Sequence, residues 1–136
     1  MFDIKSLQTA DTAVYHVTNA KGVPQYDGET PITITAYGPG TKRAAQAKFD
    51  FDQKTRARTL DSIGGKVATR TEAEERKERA EYLGQLVQSL DGFSYEGGAT
   101  ALFADPKLRF VADGFEKWWN DAGNFSGSSA TDSPTA

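Results

Sequence analysis

The stretch ATALFADPKLRFVADGFEKWWNDAGNF, residues 99–125, holds both tryptophans and four of the eight phenylalanines in the 136-residue chain. Asp105 is suited to capping a helix, because its side-chain oxygen can accept a hydrogen bond from a first-turn amide. Pro106 follows at the first helical position, where its missing N–H costs nothing. Apolar residues then recur at helical spacing, at Leu108, Val111, Phe115, Trp118 and Ala122. The pattern predicts a helix of about 17 residues that ends in a left-handed turn at Gly123 and Asn124.

Phe110 and Trp119 of the same stretch lie off this stripe, and Phe125 follows the predicted end of the helix. One large aromatic side chain can remove about 150–250 Å² from water. Burial in a core and contact with a partner protein both remain open for these three, because aromatic residues are also enriched at interfaces. The sequence therefore leaves open whether these three rings lie in the core or on a surface that binds a partner.

The composition favours one domain over residues 1–125, followed by a disordered tail or linker over residues 126–136. The formal charge of −3 exerts no general attraction for nucleic acid or anionic membrane. No window approaches the ~18 apolar residues of a membrane span. The N-terminus lacks the apolar run of a signal peptide, so we expect a cytoplasmic protein. The absence of cysteine and the single histidine exclude disulfides, thiolate chemistry and most zinc or triad chemistry.

Two segments predict an antiparallel strand pair. AVYHVT (residues 13–18) is rich in β-formers, and ITITAYG (residues 32–38) alternates so that Ile32, Ile34 and Ala36 share one face. The intervening residues 23–31 contain two prolines and an Asp-Gly pair, which indicates a loop or a hairpin connection. Two strands alone are marginally stable, so helices must pack against them.

Helices are also expected at residues 41–63, 71–90 and 99–104. In the first of these, Phe51 and Leu60 are candidate core contacts. The second begins with a capping box, and we expect its charged first half to project into solvent. The predicted fold is α+β, with a small antiparallel sheet near the N-terminus packed against three to four helices. The predicted core consists of Ile32, Ile34, Leu83, Leu86, Leu108, Val111, Phe115 and Trp118.

No motif assembles a catalytic, cofactor or metal site. The turn GPGTK (residues 38–42) lies between a strand and a helix, but its glycine spacing differs from that of a phosphate loop. Asp50 and Asp52 are two residues apart, so they point to different sides of a helix and cannot share one ion. His16 lies in a predicted strand without a nucleophile or carboxylate placed beside it, which favours a structural or surface role.

The basic side of residues 41–63 raises the alternative of nucleic-acid binding. Aromatic residues do not interleave with these basic residues, and an acidic run follows at residues 72–81. Pairing of the two charge runs, within one chain or between subunits, explains both. We therefore do not expect a nucleic-acid partner.

Three stretches occur in a distinctive order: PITITAYGPGTKRAAQA (residues 31–47), DGFSYEGG (residues 91–98) and ALFADPKLRFVADGFEKWWNDAGNF (residues 101–125). A charged, helical segment separates the first stretch from the second. In this order they resemble the tail assembly chaperones of long-tailed, siphovirus-type bacteriophages. The shared features are the strand before "YGP", the "LF-x-D-P" start of the last helix and the terminal Asn-Phe. The resemblance covers roughly residues 25–125. The chain departs from a generic member in its longer region at residues 13–31.

The resemblance implies an α+β protein without cofactor or catalysis. Such chaperones bind the tape measure protein, keep it soluble and help bring tail tube subunits to it in the host cytoplasm, and they leave before the virion matures. Many are also made in a longer, frameshifted form, to which residues 126–136 would be a linker. They often form homo-oligomers, although no heptad here sets a stoichiometry.

A chaperone of this kind needs exposed apolar surface. We therefore hypothesise that Phe103, Phe110, Trp119 and Phe125 bind the partner, and that Trp119→Ala weakens binding while leaving thermal stability nearly unchanged. Two other classes remain open. One is a structural virion protein, such as a head–tail connector or tail completion protein, and the other is a small nucleic-acid-binding regulator.

Overall fold

The computed structural model of the chain describes residues 2–65 and 71–126. Its strands are β1 (Thr12–His16), β2 (Tyr26–Asp27), β3 (Thr30–Pro31), β4 (Thr33–Tyr37) and β5 (Val87–Asp91). Strands β1, β4 and β5 form one antiparallel sheet in the order β1-β4-β5, and β2 pairs with β3 in a separate small hairpin. The predicted pairing of the first strand with residues 32–38 is confirmed, with Tyr15 opposite Ile34.

Helices cover this sheet, which confirms the α+β class. They are α1 (Lys42–Ile63), α2 (Glu72–Gln85), α3 (Gly98–Ala104) and α4 (Arg109–Trp119). Three short 3₁₀ turns lie at Ile4–Leu7, Pro106–Leu108 and Ala122–Phe125. The first, second and short third helices begin within a residue of their predicted starts, and the capping box of Thr71 and Glu74 is present.

The core lies between the inner face of the sheet and helices α2, α3 and α4. Of the predicted core residues, five are buried: Ile34, Leu83, Leu86, Val111 and Phe115. The other three, Ile32, Leu108 and Trp118, are partly buried and pack against this cluster. Alternation along β4 places Ile34 and Ala36 inside, as predicted.

The prediction of one helix over residues 71–90 is wrong beyond Gln85. Leu86 ends α2, and the next residues form β5, in which Leu90 pairs with Ile34 of β4. The amide of Tyr37 also donates to the carbonyl of Leu86 at 2.7 Å. The edge of β4 that does not pair with β1 thereby gains a hydrogen-bonded strand. The free energy of this pairing outweighs the helix preference that the spacing of Leu83, Leu86 and Leu90 indicates.

The prediction of one helix of about 17 residues from Pro106 is also wrong in its extent. Pro106 opens a 3₁₀ turn, and regular α-helix spans only Arg109–Trp119. The cap itself is confirmed, because Asp105 accepts a hydrogen bond from the amide of Lys107 at 2.9 Å.

The expected left-handed stop at the C-terminal end of this helix is absent. Neither Gly123 nor Asn124 has a positive φ, and Ala122 is exposed. The third 3₁₀ turn, Ala122–Phe125, which Asp121 caps, forms there instead. It turns Phe125 back into the core, and this burial explains why the chain bends rather than continuing as a helix.

Helices α1 and α2 pair their opposite charges within the chain, as one of the predicted alternatives requires. Lys54 lies 3.6 Å from Glu81, and Arg58 lies 2.7 Å from Glu78. The expectation that the charged first half of α2 projects into solvent holds for its first turn, where residues 72–75 are exposed, whereas Arg76 and Arg79 contact α3 and α4. Leu60 was expected in the core but is 62% exposed.

The predicted tail falls mostly outside the described residues, which end at Ser126. Ser126 itself forms a β-bridge with Thr9.

Candidate binding groove

Three of the four residues expected to form an exposed partner surface are buried, so that part of the hypothesis is wrong. Phe103 is 2% exposed, Trp119 7% and Phe125 1%. Phe103 stacks on Phe115 with ring centroids 5.1 Å apart. Phe125 contacts both tryptophans, at centroid distances of 5.1 Å from Trp118 and 6.3 Å from Trp119. These rings therefore stabilise the fold.

Phe110, the fourth of these residues, has a different position. It is half-buried and lines an open groove of about 360 Å³. The groove lies between the end of β1, the loop after β5 and the start of α4. Its lining residues are Val17, Thr18, Asn19, Gln25, Ile32, Phe93, Ser94, Tyr95, Leu102, Leu108, Phe110 and Val111.

The lining is apolar or uncharged throughout. Aromatic and aliphatic side chains form most of the wall, and the polar groups that line it are the hydroxyls and amides of Thr18, Asn19, Gln25, Ser94 and Tyr95. Sites that accept apolar ligands have this composition, with a few polar groups that set orientation. The groove can therefore receive apolar side chains but offers no charged group to a ligand.

Backbone hydrogen bonds hold the β1 side of the groove in place. The amide of Val17 donates to the carbonyl of Ile32 at 2.9 Å, and the amide of Gln25 donates to the carbonyl of Val17 at 2.9 Å. His16 adds a contact of 2.8 Å between its Nε2 and the carbonyl of Gln25, and its ring packs edge-on against Tyr26. The histidine therefore has the structural role expected from the sequence.

A second contact fixes the opposite wall. The hydroxyl of Tyr95 donates to Oδ2 of Asp105 at 2.6 Å, while Oδ1 of the same carboxylate caps the following 3₁₀ turn. The hydrogen bond from Tyr95, together with that from the Lys107 amide, lowers the pKa of Asp105. The same hydrogen bond raises the pKa of Tyr95. One carboxylate thus joins the loop after β5 to the start of α4, and both segments line the groove.

A smaller, charged cavity of about 160 Å³ lies between α2, the end of α3 and the start of α4. It is lined by Glu72, Glu75, Arg76, Arg79, Phe103 and Arg109. Two of its three arginines are engaged with other side chains or the backbone: Arg79 contacts Asp113 at 2.7 Å and Glu116 at 2.8 Å. Arg76 donates to the carbonyl of Ala104 at 3.0 Å. These contacts fasten α2 to α3 and α4, which gives the cavity a structural role.

The turn at residues 38–42 and the pair Asp50 and Asp52, which were also considered as candidate sites, make local contacts within the fold. Thr41 donates to the carbonyl of Gly38 at 2.8 Å and closes the turn before α1. Asp50 accepts from Gln46 at 2.9 Å, and Asp52 lies 3.7 Å from Lys48. Within residues 2–65 and 71–126, no cluster of histidine, cysteine and carboxylate side chains is placed to hold a metal ion.

Among the described residues, no helix is both long and apolar enough to cross a membrane.

Comparisons of the chain with models of protein families, with curated proteins and with solved structures each found no match. Sequence reasoning assigned Phe110 to a partner surface but gave no such role to Val17, Phe93 or Tyr95, which also line the groove. Its segments are far apart in the chain, and no local pattern joins them. The one sequence feature that could have indicated the groove is the loop at residues 91–98, which contains two aromatic residues.

Proposed function

We propose that this protein is a non-catalytic tail assembly chaperone that holds an apolar segment of the phage tape measure protein in the groove beside Phe110. The observation that carries the proposal is an open, uncharged, largely apolar groove of about 360 Å³. The identity of the client comes from the resemblance of the sequence to tail assembly chaperones. The groove supports the general part of the proposal, which is binding of an apolar client segment.

The size and composition of the groove suit side chains of an amphipathic helix. A helix docks by inserting residues at i, i+3, i+4 and i+7 into an apolar surface. A volume of about 360 Å³ accommodates one or two large apolar side chains. The hydroxyls and amides at its edge can accept or donate hydrogen bonds at the rim, and the absence of a lining charge avoids burying an unpaired ion.

The same proposal includes the later steps of tail assembly. The chaperone keeps the long helical client soluble in the host cytoplasm and is absent from the mature virion. Tail tube subunits are its second partner, through a longer form of the chain. Self-association is part of this proposal but is not needed for the groove to bind.

Co-expression tests the proposal. The chain is co-expressed with the long, predominantly helical open reading frame beside its gene, and the soluble fraction is separated by size exclusion. We expect the two proteins to co-elute and the long protein to be insoluble alone. Phe110→Ala should reduce the co-eluting amount several-fold, because it removes an aromatic wall of the groove.

Leu7→Ala is the matched control, since Leu7 is apolar, 65% exposed and outside the groove lining. It should leave co-elution unchanged, and thermal melts should show both variants folded. Failure of the long protein to co-elute contradicts the proposal. Detection of this chain in purified particles also contradicts it and favours a structural virion protein.

A further inference from the structure

Helix α1 carries large apolar side chains on its outward side. Phe49 is 56% exposed, Leu60 62% and Ile63 77%. Between residues 45 and 63, the exposed residues within about 40° of one line on this side, at 100° per residue, form what we call the α1 stripe: Ala45, Phe49, Asp52, Arg56, Leu60 and Ile63. The stripe is about 27 Å long at 1.5 Å per residue.

The fold leaves the α1 stripe exposed, because α1 packs through its opposite side. Ala44 and Ala47 on that side are each 1% exposed, and Phe51 stacks on Tyr82 with ring centroids 4.8 Å apart. Large apolar side chains that cluster on one exposed face mark an interaction surface. A partner that covers the stripe must match both its apolar residues and its two charges.

The two charged residues of the stripe have opposite signs and are accessible to a partner. Arg56 is exposed, and no hydrogen bond or ion pair joins it to another of the described residues. The Asp52 side chain is 51% exposed and lies 3.7 Å from Lys48, in an exposed pair of the kind that contributes little to stability. The stripe thus offers one anion and one cation, two residues before and two residues after Lys54.

This spacing makes the charges of the stripe complementary to those of a second copy that runs antiparallel. If a two-fold axis passes between two α1 helices at the level of Lys54, residues equally distant from position 54 meet across the interface. Asp52 of each copy then faces Arg56 of the other, which gives two ion pairs. A parallel pair in register would instead set Arg56 against Arg56 and Asp52 against Asp52, and such like-charge contacts are destabilising.

The same antiparallel arrangement covers the apolar residues of the stripe. Ala45 and Ile63 are each nine residues from position 54, so the small side chain faces the large one at both ends. Phe49 precedes this position by five residues and Leu60 follows it by six, which brings the two to nearly the same level. Each large apolar side chain of the stripe therefore meets an apolar side chain of the second copy.

We propose that the α1 stripe is the interface of a homodimer, in which two copies of the chain pair their α1 helices antiparallel about Lys54. The inference does not depend on the proposed function, since it concerns the chain alone and a surface other than the groove beside Phe110. One pair of helices over about 27 Å forms a small interface, so the dimer should be weak and should dissociate on dilution.

Sedimentation velocity of the full chain, without any client, measures this association. We expect a monomer near about 5 µM and mostly dimer near about 500 µM, as suits a small interface. Leu60→Ser combined with Ile63→Ser should raise the dissociation constant about tenfold or more, because apolar contacts are lost at both ends. These side chains are exposed, so the variant should keep its melting temperature. Phe110→Ala and Leu7→Ser, which lie outside the stripe, should dimerise as wild type does.

Charge exchange tests the pairing of Asp52 with Arg56. Arg56→Asp should raise the dissociation constant about tenfold, because two attractive contacts become repulsive. The double variant Asp52→Arg/Arg56→Asp restores opposite charges across an antiparallel interface and should recover most of the wild-type affinity. Thermal melts of both variants check that α1 remains folded.

Cysteine cross-linking tests the orientation, because the chain has no cysteine of its own. Ala45→Cys mixed with Ile63→Cys should form a covalent dimer with a short bismaleimide cross-linker. Either variant alone should react little, since the two identical positions lie about 27 Å apart along an antiparallel pair. Faster cross-linking of Ala45→Cys with itself would indicate a parallel pair and overturn the inference.

Three other results would also overturn it: a chain that remains monomeric near about 500 µM, an unchanged dimer in the Leu60→Ser/Ile63→Ser variant, or a dimer that Phe110→Ala abolishes. The last would assign self-association to the groove. If the chain remains monomeric, binding to vesicles of phosphatidylglycerol and phosphatidylcholine that the serine variant abolishes would identify a lipid surface as the occupant instead.

Discussion

Trp119 donates its indole N–H to the carbonyl oxygen of Tyr37 at 2.8 Å, and this bond ties the last helix to the end of the central strand. The donor is buried with the ring, which is 7% exposed. A buried indole needs such a partner, because an unsatisfied polar group in a core is costly. The contact explains why Trp119 belongs to the core rather than to a partner surface.

Trp119→Ala should therefore destabilise the protein strongly. We expect a loss of about 3–5 kcal/mol in the free energy of unfolding, the range for truncating a buried aromatic residue. Trp119→Phe should cost less, because it keeps most of the apolar burial and loses mainly the hydrogen bond to Tyr37. Urea denaturation of both variants separates the contribution of apolar burial from that of the hydrogen bond to Tyr37. A near-wild-type midpoint for Trp119→Ala would restore the sequence-based hypothesis that this side chain is exposed.

Gly84→Ala should destabilise the protein although alanine is the better helix former. A Cβ at Gly84 would overlap the hydroxyl of Thr100 and lie 3.1 Å from its Cα, so α2 and α3 would have to separate. Overpacking costs about 1–3 kcal/mol, and the gain in helix propensity is about 1 kcal/mol. We expect a net loss of up to about 2 kcal/mol. Lys77→Ala, at an exposed position of the same helix, is the control and should change the unfolding midpoint little.

Arg79→Gln should also destabilise, because Arg79 joins α2 to two carboxylates of α4. Its side chain is 26% exposed and lies within 2.8 Å of both Asp113 and Glu116. Hydrogen bonds to charged groups contribute about 1.5–3 kcal/mol, and partial exposure reduces this, so we expect a loss of about 1–2 kcal/mol. Lys77→Gln is the matched control, because it removes one positive charge from the same helix. Equal effects of the two variants would contradict a specific role for Arg79.

The contact between Tyr95 and Asp105 predicts a pH dependence. The pKa of Asp105 is lowered from its ordinary value of 3.8, first by the Tyr95 hydroxyl and then by the Lys107 amide. A carboxyl whose pKa is depressed in the folded state contributes stability above its unfolded pKa, and that contribution is lost as the pH falls through the folded pKa. The stability gap between wild type and Tyr95→Phe should thus be constant near neutral pH and close on acidification below about pH 4.

Nuclear magnetic resonance titration provides the direct measurement for this pair. In Tyr95→Phe the pKa of Asp105 should rise towards 3.8, because the largest cause of the depression is removed. The Lys107 amide still caps through Oδ1, so the pKa should stay somewhat below 3.8. An unchanged pKa in this variant would show that the hydroxyl does not contact the carboxylate in solution.

The local features of the fold were predictable from sequence because their causes are local. Alternation identified β4, the Thr71 and Glu74 pair identified the start of α2, and Asp105 identified the cap before α4. The spacing of apolar residues indicates which of them share a face. It does not indicate that the helix stops at Gln85 and a strand begins at Val87, because that depends on the free edge of β4, which is distant in sequence.

The aromatic side chains show the same limit. Helical spacing placed Trp119 beside the main stripe, but Tyr37, whose carbonyl accepts its indole hydrogen bond, lies 82 residues away. Phe125 was separated from the helix by a predicted left-handed stop, whereas the 3₁₀ turn returns it to Trp118. Phe110 was the one member of the set that reached an open surface. The groove could not be predicted, since its walls come from the end of β1, the loop after β5 and the start of α4.

Hydrogen exchange of the chain, alone and co-expressed with the long helical open reading frame, tests the central claim most directly. The claim is that the groove beside Phe110 holds the client. If it is correct, the two proteins co-purify and amide exchange slows at residues 17–19, 93–95 and 108–111, while the exposed turn Ile4–Leu7 is unchanged. Failure to co-purify, or protection that leaves these three segments unchanged, would contradict it.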